Sequence, residues 1–166
     1  MSTDHALILG SATQIWRDED ACAASAAALA RVPTLANAYV ELRGELGAGK
    51  TTWVRHLLRA LGVQGRVKSP TYAVLESYDV GGLPISHFDF YRFSDPREWL
   101  DAGFREPFSQ PGLKLAEWPE QAEGVLPTPD LRLHLTVGAD GSRCVTAQAL
   151  SPAGLCLLPA FADCTA

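Results

Sequence analysis

The chain has 166 residues, 47% apolar and 20% charged, which is the size and balance of a single soluble domain with a proper core. Its net charge of -5 excludes a global basic field of the kind that holds nucleic acid by phosphate neutralisation, so any RNA contact must be local or shared with a partner. Cys22, Cys144, Cys156 and Cys164 form no CxxC pair and the histidines are equally dispersed, which argues against a zinc site and for reduced thiols.

In chain order, the N-terminus (MSTDHALILGSATQIW) has no basic segment ahead of an apolar run, and no window reaches the roughly 18 apolar residues of a membrane span. A cytoplasmic protein without membrane contact is expected. Asp18 is placed to cap a helix running to about Arg31 through the alanine-rich ACAASAAALA, whose small side chains suit close packing. Pro33 ends it. Residues 38–42 (AYVEL) read as a short strand that leads into GELGAGKTT, residues 44–52. Val54, Leu57, Leu58 and Leu61 then share one helical face, and Gly62 stands at the C-cap.

Residues 72–90 contain two β-prone runs joined by Asp79-Val80-Gly81-Gly82, which predicts a hairpin. Ser94-Asp95-Pro96 opens a helix that closes before Gly103. Leu113 to Ala116 is the next strand, Leu131 to Val137 alternates apolar and polar, and Cys144 to Leu150 returns after a turn at Asp140-Gly141. The tail from about residue 150 is expected to add an edge strand through LCLL, residues 155–158. Early βα order followed by hairpins predicts one α/β domain with a sheet of mixed direction.

Gly44, Gly49, Lys50 and Thr51 satisfy GxxxxGK[ST] between a strand and a helix. Such a loop turns backbone N–H groups inward around phosphate oxygens, and glycine permits both the positive φ angles and the close approach. Lys50 would sit against the β and γ phosphates, the Thr51 hydroxyl would hold Mg²⁺, and the helix N-terminus would add its partial positive charge. The expected fold is therefore a P-loop NTPase-like three-layer sandwich with a mixed, mostly parallel sheet and a C-terminal hairpin.

The guanine-reading [NT]KxD motif and the LSGGQ signature are both missing from the sequence. A small ATPase or a small-molecule kinase remains. Hydrolysis needs a second carboxylate to hold Mg²⁺ through water, and two acids end apolar strand-like runs: Asp89 in HFDFYR and Glu117 in LKLAEWPE. His87, two residues before Asp89, either tunes that site or is an ordinary satisfied histidine. In a kinase, Asp89 would be the substrate base and Arg92 or Arg105 would clamp the acceptor. In a non-catalytic nucleotide-sensing module, Asp89 and Glu117 would only order a switch.

GELGAGKTT, VKSPTY (67–72), HFDFYR followed by Asp95-Pro96, and AEWPE (116–120), in that order and spacing, resemble the bacterial TsaE family, formerly YjeE. The likeness runs from about Trp16 to Arg143. It implies a P-loop ATPase required for threonylcarbamoyladenosine in tRNAs that read codons starting with A. The implied cofactors are ATP and Mg²⁺. The implied partner is the TsaD-TsaB heterodimer, reset between turnovers by ATP binding or slow hydrolysis, with tRNA met only through that complex and a monomer when isolated.

By the same resemblance, Gly47, Ala48, Gly49, Lys50, Thr51 and Thr52 match the phosphate-binding segment, with Thr51 and Glu117 on the metal side and Lys50, Asp89 and Glu117 needed for activity. Ser69, Thr71 and Tyr72 match a switch-like loop, and Trp118 lies against the metal site. Glu19 matches an acid near the adenine, and Gly141 and Arg143 a C-terminal hairpin near the base, with Ser142 standing between two residues that are commonly adjacent in the family. Glu45 and Phe90 replace a usual aspartate and leucine.

Overall fold

The computed structural model describes residues 7–95, 97, 103 and 105–162. Its elements are β1 (Gly10–Trp16), α1 (Glu19–Ala30), β2 (Tyr39–Arg43), α2 (Lys50–Leu61), β3 (Leu75–Val80), β4 (Leu83–Asp89), α3 (Arg105–Ser109), β5 (Leu113–Glu117), β6 (Leu131–Val137), β7 (Arg143–Ala149) and α4 (Pro152–Leu157). Short 3-10 turns follow α1, β5 and α4. The seven strands form one sheet in the order β1-β7-β6-β2-β5-β4-β3. β2 pairs parallel with β5 and β6, and β5 with β4, whereas β7 and β3 oppose their neighbours. Strands β1, β6, β2, β5 and β4 therefore point one way and only β7 and β3 the other, the mixed, mostly parallel sheet that was expected.

Strand alternation assigns the two faces. Val40, Leu42, Leu113, Leu115, Leu131 and Leu133 join a core formed with α1 and α2, while Tyr39, Phe88 and Ala116 face a smaller aromatic cluster. Phe108 of α3 closes that second layer, its ring centroid 4.8 Å from that of Phe88. On α1 the buried residues are Cys22, Ser25, Ala26 and Leu29, an i, i+3, i+4, i+7 stripe of mostly small side chains that lets the helix lie close to α2. The Asp18 carboxylate caps it by accepting from the Ala21 amide at 2.8 Å. Trp53, Val54, Leu57 and Leu58 of α2 are fully buried, and burial of each such side chain stabilises the fold by about 1.5–3 kcal/mol. No helix among the described residues is long and apolar enough to cross a membrane.

One expectation meets a different outcome. The tail is helical rather than an edge strand: the Ser151 hydroxyl accepts from the Gly154 amide and Pro152 occupies the first turn. Gly154 permits this docking, since a Cβ there would come within 1.9 Å of the Asp130 carbonyl oxygen. Leu157 and Phe161 then bury into the main core, Phe161 against Trp53. The edge beside β7 is instead taken by β1, which the sequence did not announce. The helix expected from Ser94-Asp95-Pro96 to Gly103 falls mostly outside the described residues, as do His5 and Cys164.

Candidate functional site

β2 sits mid-sheet, and at its end the chain turns through residues 44–49 into α2. Gly44 allows the close approach to β6, because a Cβ there would lie 2.7 Å from the Leu135 carbonyl oxygen. Gly49, at φ 107°, is the N-cap of α2 and supplies no side-chain cap. The first amides of α2 therefore have neither an intrahelical acceptor nor a capping side chain, and the positive end of the helix dipole lies over the loop.

Alternation puts His87 and Asp89 of β4, and Glu117 of β5, on the face covered by α2, with Asp89 directly opposite Glu117 in register. One carboxylate oxygen of Glu117 accepts from the Thr51 hydroxyl at 2.7 Å. The other lies 2.6 Å from Nε2 of His87, a residue with no exposed surface. Asp89 accepts from the Thr71 hydroxyl at 3.0 Å and from the Tyr91 amide at 2.9 Å. Burial pushes the Asp89 carboxyl above its ordinary range and Glu117 adds to this, while the Tyr91 and Thr71 hydrogen bonds and His87 pull it back.

The Lys50 ammonium donates to the Gly44 carbonyl and, at 3.3 Å, to that of Glu45. It lies 3.8 Å from the centroid of the Trp118 ring. Burial lowers its pKa, with Glu117, Glu120 and Asp89 opposing that shift. Trp118 takes up this position from a left-handed backbone, φ 55°, at a cost of about 1–2 kcal/mol.

Two cavities flank the first turn of α2. The first, about 270 Å³, brings together the loop residues 46–52, Thr71, Asp89, Tyr91, Glu117, Trp118 and Arg143. The second, about 260 Å³, is lined by Trp16, Asp18, Glu19, Cys22, Gly49, Thr52, Gly141 and Arg143. Burial, reinforced by Glu19, pushes the Cys22 thiol up to about 12, so it is protonated at neutral pH.

Residues 16–145 match the family described as "Threonylcarbamoyl adenosine biosynthesis protein TsaE". The chain belongs to the TsaE family. It is 40% identical over 124 residues to the tRNA threonylcarbamoyladenosine biosynthesis protein TsaE of Haemophilus influenzae, covering 75% of this chain and 78% of that one. To the protein of the same name in Bacillus subtilis it is 38% identical over 109 residues, 66% of this chain and 68% of the relative. Its fold is similar to that in the crystal structure of Bacillus subtilis YdiB, with a TM-score of 0.76 and 25% identity over 93% of this chain and 95% of that one.

Of the residues singled out by the TsaE resemblance, Gly47, Ala48, Lys50, Thr51, Thr71, Asp89, Glu117 and Trp118 meet in the first cavity, and Glu19 and Gly141 in the second, with Gly49, Thr52 and Arg143 in both. Ser69 is exposed and connects to the first cavity through Thr71, 2.9 Å away. Tyr72 is 80% exposed, and the Arg92 guanidinium lies over its ring at 3.9 Å. Ser142 is absorbed by its turn, donating from its amide and its hydroxyl to Asp140 at 3.0 and 2.6 Å. Arg143 is thereby left as the first residue of β7. Tyr91, Trp16, Cys22 and His56 were not anticipated. For Cys22 the available signal was its helical spacing from Glu19, which puts both over the second cavity.

Proposed function

We propose that this TsaE-family protein is an ATP-binding, slowly hydrolysing switch required for the threonylcarbamoyladenosine modification of tRNAs that read codons starting with A. In this reading it is a cytoplasmic monomer that acts with the TsaD-TsaB heterodimer and meets tRNA only through that complex. The observation that carries the reading is the hydrogen bond from Thr51, on an uncapped helix N-terminus, to the buried Glu117 carboxylate. Both are oxygen donors, the ligand type that Mg²⁺ takes, and the loop-helix junction is an anion site, so the residues fit Mg²⁺ and ATP.

Residues 47–52 hold the phosphates in this scheme, with the Lys50 ammonium leaving its loop carbonyls to do so. Thr51 and Glu117 hold Mg²⁺, which when bound neutralises charge developing on the transferred phosphoryl group. His87 fixes the orientation of Glu117. Asp89 orients the attacking water and, through Thr71, ties the Ser69-Thr71 segment to the state of the cleft. Glu19 and Gly141 border the cavity assigned to the base. The kinase alternative draws less support, because Arg92, one of its two candidate clamps, lies over Tyr72 on the surface.

The test is ATPase turnover with and without TsaD-TsaB, comparing the natural protein with Lys50→Ala. Turnover that is slow alone, rises with the heterodimer and is lost in the variant is expected. Fast turnover indifferent to the heterodimer would sink the switch. Full complementation in cells by a Glu117→Ala protein that no longer hydrolyses ATP would favour the non-catalytic module.

A further inference from the structure

We propose that Arg143 is a positioning residue for the phosphate loop rather than a reader of the nucleotide's base. This rests on the reading of the first cavity as a nucleotide site. A guanidinium is a rigid fork of donors with no acceptor, so what it points at identifies its task. Here Nε donates to the Ala48 carbonyl at 3.0 Å, Nη2 to that of Gly47 at 3.4 Å, and Nη1 to that of Gly141. All three acceptors are backbone carbonyls, and two belong to the phosphate loop.

Peptide planarity turns those bonds into control of the amides. The carbonyl of one residue and the N–H of the next point in opposite directions across a rigid plane. Holding the Ala48 carbonyl against Arg143 therefore fixes the Gly49 amide on the other side of the loop. Holding that of Gly47 does the same for the Ala48 amide, which donates to the Glu45 carbonyl at 3.0 Å. Arginine thus draws off the carbonyls, which would repel a phosphate, and leaves the Gly49 amide to face it, with the Ala48 amide tied back inside the loop.

The fork also has a firm mount. Arg143 opens β7, in register with Trp16 of β1 on one side and Val137 of β6 on the other. The turn before it is closed by Gly138 N–H to the Ser142 carbonyl at 2.7 Å and Gly141 N–H to that of Gly138 at 3.0 Å. Strand β7 and the phosphate loop, 95 residues apart in sequence at the Arg143–Ala48 bond, are joined through one side chain.

Arg143→Lys keeps the charge but loses the fork, and Arg143→Gln loses both. Displacement of a fluorescent ATP analogue by ATP and by inorganic tripolyphosphate, with Mg²⁺ present, separates the two roles. A tether predicts that both variants weaken ATP and tripolyphosphate by the same factor, about tenfold. It also predicts faster amide hydrogen exchange across residues 44–52 of the nucleotide-free protein, with β6 and β7 unchanged. Weakening of ATP alone, or loop exchange equal to that of the natural protein, would overturn the proposal. If the natural protein bound neither ligand, the nucleotide reading would fall, and the exchange rates would still decide the tether.

Discussion

The two cavities beside the first turn of α2 are nearly equal in size, about 270 and 260 Å³, but they are built differently. The first cavity is walled by one continuous loop and by the tips of two parallel strands, and the acids Asp89 and Glu117 in it are buried and each hydrogen-bonded twice. Its neighbour is assembled from the end of β1, the start of α1 and the turn before β7, and its acid Glu19 is 69% exposed in its side chain. Groups in the first cavity are therefore tied into the core, and changes there propagate into stability. In the second, Trp16 and Cys22 belong to the core, but the acid Glu19 is carried on the surface of a helix that stands without it.

The largest effect expected from this difference is at His87. Replacing it by alanine leaves one oxygen of the buried Glu117 carboxylate without its partner at 2.6 Å. The cost is about 2–3 kcal/mol, because the bond is to a charged, desolvated group. Urea unfolding of the nucleotide-free protein measures it, and the Mg²⁺ concentration needed for half-maximal nucleotide binding should rise in parallel. His87→Gln, which returns a donor to Glu117, is expected to recover much of both losses. An alanine variant as stable as the natural protein would break the contrast between the cavities.

Asp89 gives a smaller effect of opposite sign. Its carboxyl is raised chiefly by burial, so the folded protein binds that proton more tightly than the unfolded chain does. The group's contribution to stability is present below the ordinary carboxylate range and is lost as pH rises through the raised folded value. Asp89→Asn removes the buried charge while keeping an acceptor for the Tyr91 amide. In urea melts the variant should exceed the natural protein at pH 7.5 and show no advantage at pH 4, while hydrolysis is lost. A variant less stable at both pH values would show that the Thr71 contact outweighs desolvation.

The same contrast governs what the sequence reveals. Lys50 and Thr51 lie in one contiguous motif, and Asp89 and Glu117 end apolar runs that read as strands, β4 and β5, of which β5 pairs with β2 and β4 with β5, so the first cavity is legible from local pattern. Its neighbour depends on β1, whose sequence GSATQIW turns Gln14 inward and Ile15 outward, against the usual alternation. That strand exists because its backbone pairs with β7, more than a hundred residues away, and only tertiary pairing reveals it. The run LCLL is ambiguous for a similar reason: four apolar residues fit a strand or a helix equally, and the Ser151 cap together with the absent Cβ of Gly154 decides for the helix. Arg143 could be placed near the base by resemblance, but its hold on the Gly47 and Ala48 carbonyls required the fold.

The smallest expected effect is at Glu19. Its carboxylate lies 2.9 Å from Nε2 of His56 on α2, and both side chains reach solvent. An exposed pair of this kind gains little from Coulomb attraction and spends side-chain entropy to form, so Glu19→Ala should change unfolding stability by less than about 0.5 kcal/mol. Helix α1 keeps its Asp18 cap and its buried stripe, neither of which involves Glu19. If the second cavity takes the base, the variant should still lose discrimination between ATP and GTP in the displacement assay while keeping its affinity for tripolyphosphate. A stability loss approaching that at His87 would mean that the second cavity is also tied into the core. Unchanged stability with altered base preference would confine each cavity to its own task, with Gly49, Thr52 and Arg143, shared by both, joining them.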